Sequence, residues 1–334
     1  MSTEQNDNNR GNTPVISNGM RLLIVTQVVD QGDSDLGFFV RWIQEFAKHA
    51  ESIEVICLTK GSYSLPSNVR VHSLGKEVGA SRFGYVVNFY RYIWRFRNNY
   101  DAVFVHMNPE YVILGGTFWR LSGKRIALWY THKSVNLKLR LAEKLADIIF
   151  TASKESFRLK SRKVHVMRHG IDTDFFSPPT LAVGAPTLKG VGADKNTARG
   201  DWMLSVGRLM PSKRHDLAIE RVVQEGRALR IAGEGPERAR LEAFARERHA
   251  KVQFLGALTQ AQLRDEYRKA AAFIHTSETG SLDKVVLEAL ACGLKVITND
   301  PALKSLENEG PQYVRENHSL QRLVPAILSD MQAL

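Results

Sequence analysis

Residues 271–298 read AAFIHTSETGSLDKVVLEALACGLKVIT, and the succession of side-chain types in them decides the fold class. Residues 271–275 are apolar enough for a strand, and Thr, Ser, Glu and Gly then make a polar loop. Ser281 is a helix-capping residue type, residues 281–292 suit a helix, and Gly293 can stop that helix in the left-handed region before Val296, Ile297 and Thr298 resume a strand. The unit is βαβ, which implies a parallel sheet. Anions and sugars bind where a parallel strand hands over to a helix, because free backbone N–H groups and the positive end of the helix dipole converge there. Glu288 lies two turns inside the helix among Leu287, Ala289 and Leu290, where a carboxylate needs a partner. Taken alone it reads as a ligand carboxylate or as a surface glutamate.

Two further strand ends carry ligand chemistry. Residues 202–206 form a short apolar strand followed directly by Gly207, Arg208, Leu209, Met210, Pro211, Ser212 and Lys213. Arg208 and Lys213 on one tight turn can close on a diphosphate from two sides, the guanidinium by a fork and the ammonium as a point charge. A strand over 228–232 ends in Gly233, Glu234, Gly235 and Pro236, where glycines allow the backbone close to a ligand.

The segments SVGRLMPSK (205–213), IAGEGP (231–236) and LEALACGLKVI (287–297) together resemble the C-terminal half of the retaining family 4 glycosyltransferases, in order and in spacing. The resemblance implies a GT-B fold, α/β, with two Rossmann-like domains whose parallel sheets face each other across a cleft. It implies that Arg208 and Lys213 grip the diphosphate of a nucleotide sugar as catalytic cations, and that Glu288 holds the ribose. Gly207, Gly233, Glu234, Gly235, Gly280, Ser281 and Leu282 complete the implied donor site. The family's E-x7-E motif would put its first Glu at position 280, which is Gly280 here; Glu278 and Asp283 are the nearest acids. That departure bears on which sugar is used.

Composition sets the bounds. A chain of 334 residues, 43% hydrophobic and 24% charged, has room for two globular α/β domains. Cys57 and Cys292 are the only cysteines and stand in apolar surroundings, which argues for a reducing compartment and against a disulfide framework. Neither has a partner at metal-ligand spacing, so no metal and no cofactor are expected, only a nucleotide-diphosphate sugar as donor substrate. The first nineteen residues are polar and read as a disordered tail, and no run reaches the ~18 apolar residues that spanning a membrane takes. The expected location is the cytoplasm.

The net charge of +11 is uneven, with 24 Lys and Arg against 16 Asp and Glu up to Ser177. Positive charge attracts nucleic acid, anionic lipid or phosphorylated substrates alike. No nucleic-acid module is legible, so none is expected as a partner. In residues 81–100, SRFGYVVNFYRYIWRFRNNY, Arg82, Arg91, Arg95 and Arg97 are interleaved with the seven aromatic side chains that lie between Arg82 and Arg97. Such a helix can lie on an anionic bilayer at the inner face of a membrane, or it can be a core helix with its arginines in water.

In chain order, residues 21–29 form a buried-type strand, 38–49 an amphipathic helix and 54–58 a second strand. The loop before the helix has Gly37 at the helix entrance, behind Asp33 and Asp35, which would face an acceptor hydroxyl or solvent. Strands over 101–106 and 125–130 end in His106 with Asn108, and in His132 with Lys133. By the resemblance His132 is the catalytic-site histidine beside the donor sugar, with His106 as its understudy, and Gly37, His106 and Asn108 lie on the side of a glycan or lipid-linked acceptor. Strands over 146–152 and 163–167 follow, then Arg168, His169, Gly170, Ile171 and Asp172, which resemble the family's N-G-[IV]-D segment with His169 for Asn. The expected layout is a tail (1–19), an N-terminal acceptor domain (20–177), a linker (178–200), a C-terminal donor domain (201–310) and a helical segment (311–334). A GT-B epimerase or phosphorylase and a non-catalytic nucleotide-sugar-binding protein remain as rivals to a transferase.

Overall fold

The computed structural model describes residues 19–179, 199–277 and 282–334. The expected tail short of Gly19, the linker from 180 to 198, and Glu278, Gly280 and Ser281 lie outside them.

β1 (Arg21–Val29) shows why the first sheet is covered on both faces. Leu22 and Ile24 enter one core while Leu23 and Val25 enter the other, the alternation of a strand with helices above and below. After it come α1 (Phe38–His49), β2 (Ser52–Lys60), β3 (Val69–Ser73), α2 (Arg82–Arg95), β4 (Ala102–His106), α3 (Pro109–Leu121), β5 (Arg125–Trp129), α4 (Leu137–Leu145), β6 (Ile148–Thr151) and β7 (Val164–Val166). The seven strands are parallel in the order β3-β2-β1-β4-β5-β6-β7, and the direction of winding reverses between β1 and β4.

The second sheet repeats the plan with β8 (Trp202–Val206), α5 (His215–Gln224), β9 (Ala228–Ala232), α6 (Arg238–Glu247), β10 (Val252–Gly256), α7 (Gln260–Lys269), β11 (Ala272–His275), α8 (Lys284–Ala291) and β12 (Val296–Thr298). Its five parallel strands run β10-β9-β8-β11-β12, so the reversal lies between β8 and β11. Both sheets are Rossmann-like. The helix expected over 281–292 begins at Lys284, with Asp283 in the N-cap position making no side-chain cap bond, and Gly293 takes φ 68° as its stop.

The last two helices part company. Val314 of α9 (Pro311–Asn317) packs into the core around α8, whereas Leu320, Leu323, Val324, Ile327, Leu328 and Met331 of α10 (Leu320–Gln332) belong to the core beneath α1 and β1. The crossing is fixed by a parallel bridge between Ile171 and Ser319, with Ile171 N–H donating to His318 and Leu320 N–H to Ile171. Among the described residues no helix is long and apolar enough to cross a membrane.

Candidate functional site

The carboxyl ends of β8, β9 and β10 and the first turns of α8 surround a cavity of about 300 Å³, and Ser34 and Asp35 from the β1–α1 loop close its far side. It thus lies between the two sheets, outside the strand ends where open α/β sheets bind ligands.

The turns after β8 and β9 build its wall together. Gly207 N–H donates to Ala232, and Leu209 N–H donates to Glu234. A Cβ at Gly233, φ 140°, would stand 2.0 Å from the Gly207 oxygen, and one at Gly235, φ 157°, 2.4 Å from the Leu209 oxygen. These glycines serve the contact between two backbones, a role the sequence reading gives to ligand approach. Gly207, Gly233 and Glu234 still line the cavity; Glu234 pairs with Arg238 at 2.7 Å. Arg208 is exposed, lines the cavity and makes no ion pair among the described residues.

Lys213 is differently placed. It closes the 3-10 turn Pro211–Lys213, its carbonyl accepts from the Thr276 hydroxyl, and its Nζ lies 2.5 Å from Asp283 Oδ2, which His275 Nε2 also approaches at 3.1 Å. Burial would raise the Asp283 pKa, but the His275 hydrogen bond and the Lys213 charge outweigh it and hold the carboxyl at about 2. In this structure, therefore, Lys213 has a carboxylate where a phosphate is expected.

Glu288 is 1% exposed. Tyr267 donates its hydroxyl to Oε2 at 3.2 Å, and Lys284 sits 3.0 Å from Oε1, so the carboxylate has the partners its burial requires. Burial, and then the Glu288 charge, push the Tyr267 pKa far above its ordinary value. Lys284 Nζ also lies 3.8 Å from the Phe38 ring centroid, a cation–π contact from α8 to the first residue of α1. Gln260, at the start of α7, lines the cavity beside Leu258 and Leu263.

Neither candidate histidine, His132 or His106, is among the residues that line the cavity. His132 is exposed on the loop after β5 and turned locally, its Nδ1 accepting from Ser134 N–H at 3.2 Å, and it is not among the residues that line the cavity. His106 is 2% exposed, stacked on Phe39 at 3.9 Å with Nδ1 3.2 Å from Thr26 Oγ1. Burial, with Lys284 nearby, drops its pKa to about 3, so the ring is packed neutral in the core and does not line the cavity. Asn108 is engaged beside it, accepting from Gln27 and donating to the His106 carbonyl. Gly37 is buried against its own loop, where a Cβ would meet the Asp33 oxygen at 2.3 Å. Asp33 accepts from the N–H groups of Asp35 and Leu36, and Asp35 is exposed at the edge of the cavity. His169 stands near the Leu282 backbone, Asp283 and Lys284 of the donor half, and burial lowers its pKa to about 4.

Sequence reasoning passes over His215. It is 3% exposed beneath the Arg208 turn, with Nδ1 3.0 Å from Ser205 Oγ and Nε2 facing the Gly207 and Arg208 backbone without a hydrogen bond of ordinary geometry. The sequence signal, a His two residues beyond Lys213 at a helix start, is too common to single out.

Solved structures of the same architecture include Anabaena HepE in complex with UDP, at TM-score 0.67 and 13% identity over 94% of this chain and 100% of that one. Sucrose-phosphate synthase from Thermosynechococcus elongatus matches at TM-score 0.61 and 16% identity, over 93% and 91% of the two chains. Among curated proteins, a GDP-mannose-dependent alpha-mannosyltransferase of Mycobacterium tuberculosis is 28% identical over 52% of this chain and 42% of its own length. A phosphatidylinositol N-acetylglucosaminyltransferase component of Arabidopsis thaliana is 26% identical over 49% and 38%. The chain thus spans less than half the length of these curated relatives. The fold of the described chain is GT-B, and its residues 195–328 match the family model described as glycosyl transferases group 1.

Proposed function

We propose that the protein is a glycosyltransferase that moves a sugar from a nucleoside-diphosphate sugar to a glycan or lipid-linked acceptor, with retention of configuration and without a resident metal. One observation carries the reading: one cavity between the sheets is lined by both Arg208, whose guanidinium makes no ion pair among the described residues, and the buried carboxylate Glu288. Those groups suit the two ends of a nucleoside diphosphate, phosphates and ribose hydroxyls. The family match over the same residues supports it, as do relatives whose names specify GDP-mannose and phosphatidylinositol, and a structural neighbour that holds UDP.

In the reaction the bond from the anomeric carbon to the diphosphate breaks as a bond to an acceptor hydroxyl forms. Negative charge grows on the leaving diphosphate, and fixed cations that match it lower the barrier. Arg208 offers its charge directly. Lys213 is shared with Asp283, so the arriving diphosphate competes with that carboxylate for the ammonium. His169, from the other half of the chain, stands near Leu282, Asp283 and Lys284 at the start of α8, and we assign it no role in the transfer.

The test is release of free nucleoside diphosphate from a panel of UDP and GDP sugars, with and without lipid extract or glycan. Release that requires acceptor and survives EDTA is the expected result, with NMR of the product giving the anomeric configuration. Turnover at the same rate without acceptor would point to an epimerase or phosphorylase, and tight binding without turnover to a binding protein; either result sinks the proposal.

A further inference from the structure

Helix α2 has two apolar faces, and the fold uses one. Phe89 and Ile93 are buried in the core beneath it, with Tyr85, Tyr92 and Phe96 packed against that core. Phe83, Val87, Tyr90 and Trp94 point elsewhere, with exposures of 78, 48, 43 and 60%. At about 100° per residue these four fall within an arc of roughly 60°, a continuous stripe on the outer side of the helix. Folding uses only its edge against α3 and leaves Phe83 and Val87 to water.

The stripe widens onto α3. Tyr90 donates its hydroxyl to the Leu114 carbonyl and Trp94 packs on Phe118, so the two helices lie side by side here, and Leu121, 85% exposed, lies one turn beyond. Positive charge borders it. Arg91 and Arg95 are exposed on its flank, and Arg97 stacks over the Trp94 ring at 4.6 Å while donating to the Trp94 carbonyl. There is no Asp or Glu from residue 81 to residue 100.

We propose that this face docks on an anionic lipid bilayer, with Phe83, Val87, Tyr90 and Trp94 at the boundary between headgroups and acyl chains and Arg91, Arg95 and Arg97 on lipid phosphates. An apolar stripe edged by cations and free of acids is complementary to such a surface in both its layers. Contact with a neutral protein or a second copy would leave the arginines unmatched. The inference does not rest on the glycosyl-transfer reading, since vesicle binding needs no donor.

The experiment is co-sedimentation of the full chain with vesicles of phosphatidylcholine alone or mixed with phosphatidylglycerol. Binding is expected to the anionic vesicles only, and to weaken as salt rises. Phe83→Ser/Trp94→Ser and Arg91→Gln/Arg95→Gln should each lose about tenfold or more in partition, the size expected when two membrane-facing residues are removed, with melting temperature unchanged. Quenching of tryptophan emission by brominated acyl chains adds a positional readout: Trp94 is exposed, Trp42, Trp119 and Trp129 are buried, and Trp202, partly buried, lies in β8 of the other sheet. Quenching should vanish in Trp94→Phe while binding persists. Failure of the wild type to bind anionic vesicles at low salt overturns the proposal. So does binding without quenching, or a dimer that dissociates in the Phe83/Trp94 variant without vesicle binding.

Discussion

Arg208 and Lys213 stand five positions apart on one turn, yet the fold gives them unequal freedom. Lys213 is already paired with Asp283, whereas Arg208 makes no ion pair among the described residues. Arg208→Ala should therefore cost more diphosphate affinity than Lys213→Ala, about 1.5 to 3 kcal/mol for a charge-assisted contact, with little effect on binding of the bare nucleoside. Calorimetry with UDP, GDP, uridine and guanosine decides it; equal losses in the two variants would mean that Asp283 yields Lys213 at no cost. Asp283 has a second signature. Its folded pKa of about 2 lies below the ordinary carboxylate value, so its pairing stabilises the native state above pH ~4, by roughly 2 kcal/mol, and that contribution is lost as pH falls towards 2. Asp283→Asn should be the less stable protein in urea at pH 7, and the gap should close by about pH 2.5; a gap that does not change with pH refutes the pairing. The cation turn is legible in the sequence because its residues are neighbours. The Asp283 partner is not, because seventy positions of chain separate it from Lys213 and only the apposition of β8 and β11 brings the two together.

At the scale of elements, Glu288 ties α8 to α7 through Tyr267, and a ligand role and a packing role overlap in one side chain. Glu288→Gln keeps the shape but loses the charge beside Lys284, so it should lower stability by about 1 to 3 kcal/mol as well as weaken nucleotide binding. Tyr267→Phe separates the roles: it should cost stability while leaving nucleotide affinity within about threefold, since its hydroxyl faces Glu288 from inside the core. Thermal melts and nucleotide titrations of both variants read this out. The terminal helix makes a cleaner case. The period of residues 320–334 is readable as a helix, but periodicity says which face is apolar and not what that face meets. Ile327, fully buried against the first sheet, should cost about 2 to 5 kcal/mol when cut to Ala. A loss under about 1 kcal/mol in urea unfolding would show that α10 does not stay docked. Of the twelve strands among the described residues, the sequence reading places all but β3 and β10, and it is surest where continuous apolar runs announce burial on both faces, as in β1, β4, β8 and β11. The edge strands β3 and β10 escape it because their sequences, VRVHS and VQFLG, are interrupted by polar residues, whereas the edge strand β12, Val296–Thr298, is β-branched throughout.

Across the whole molecule, histidines are buried at several unrelated joints, and together they set its response to acid. His106 lies in the core under α1, His215 under the Arg208 turn, and His169 and His318 face each other where the chain crosses between the sheets, ring centroids 6.2 Å apart. Burial is the largest cause in each case, taking His106 to about 3 and the other three to about 4; His318 is lowered further by His169 and Arg168. These folded values lie below the ~6.5 of an unfolded chain, so the unfolded state binds more protons between about pH 6.5 and 4. Stability should be full above pH ~6.5 and fall as the pH drops through that window, by up to about 1.4 kcal/mol per pH unit for each histidine. The Asp283 effect begins only below that range, so the two can be told apart by pH alone. Urea unfolding at pH 7, 6 and 5 should show a midpoint that falls steadily, and His106→Asn and His318→Asn should each flatten the slope even where they lower the plateau. A wild-type midpoint constant from pH 7 to 5 would mean that these rings are already protonated or solvated in the folded protein, and that the joints they occupy are open to water.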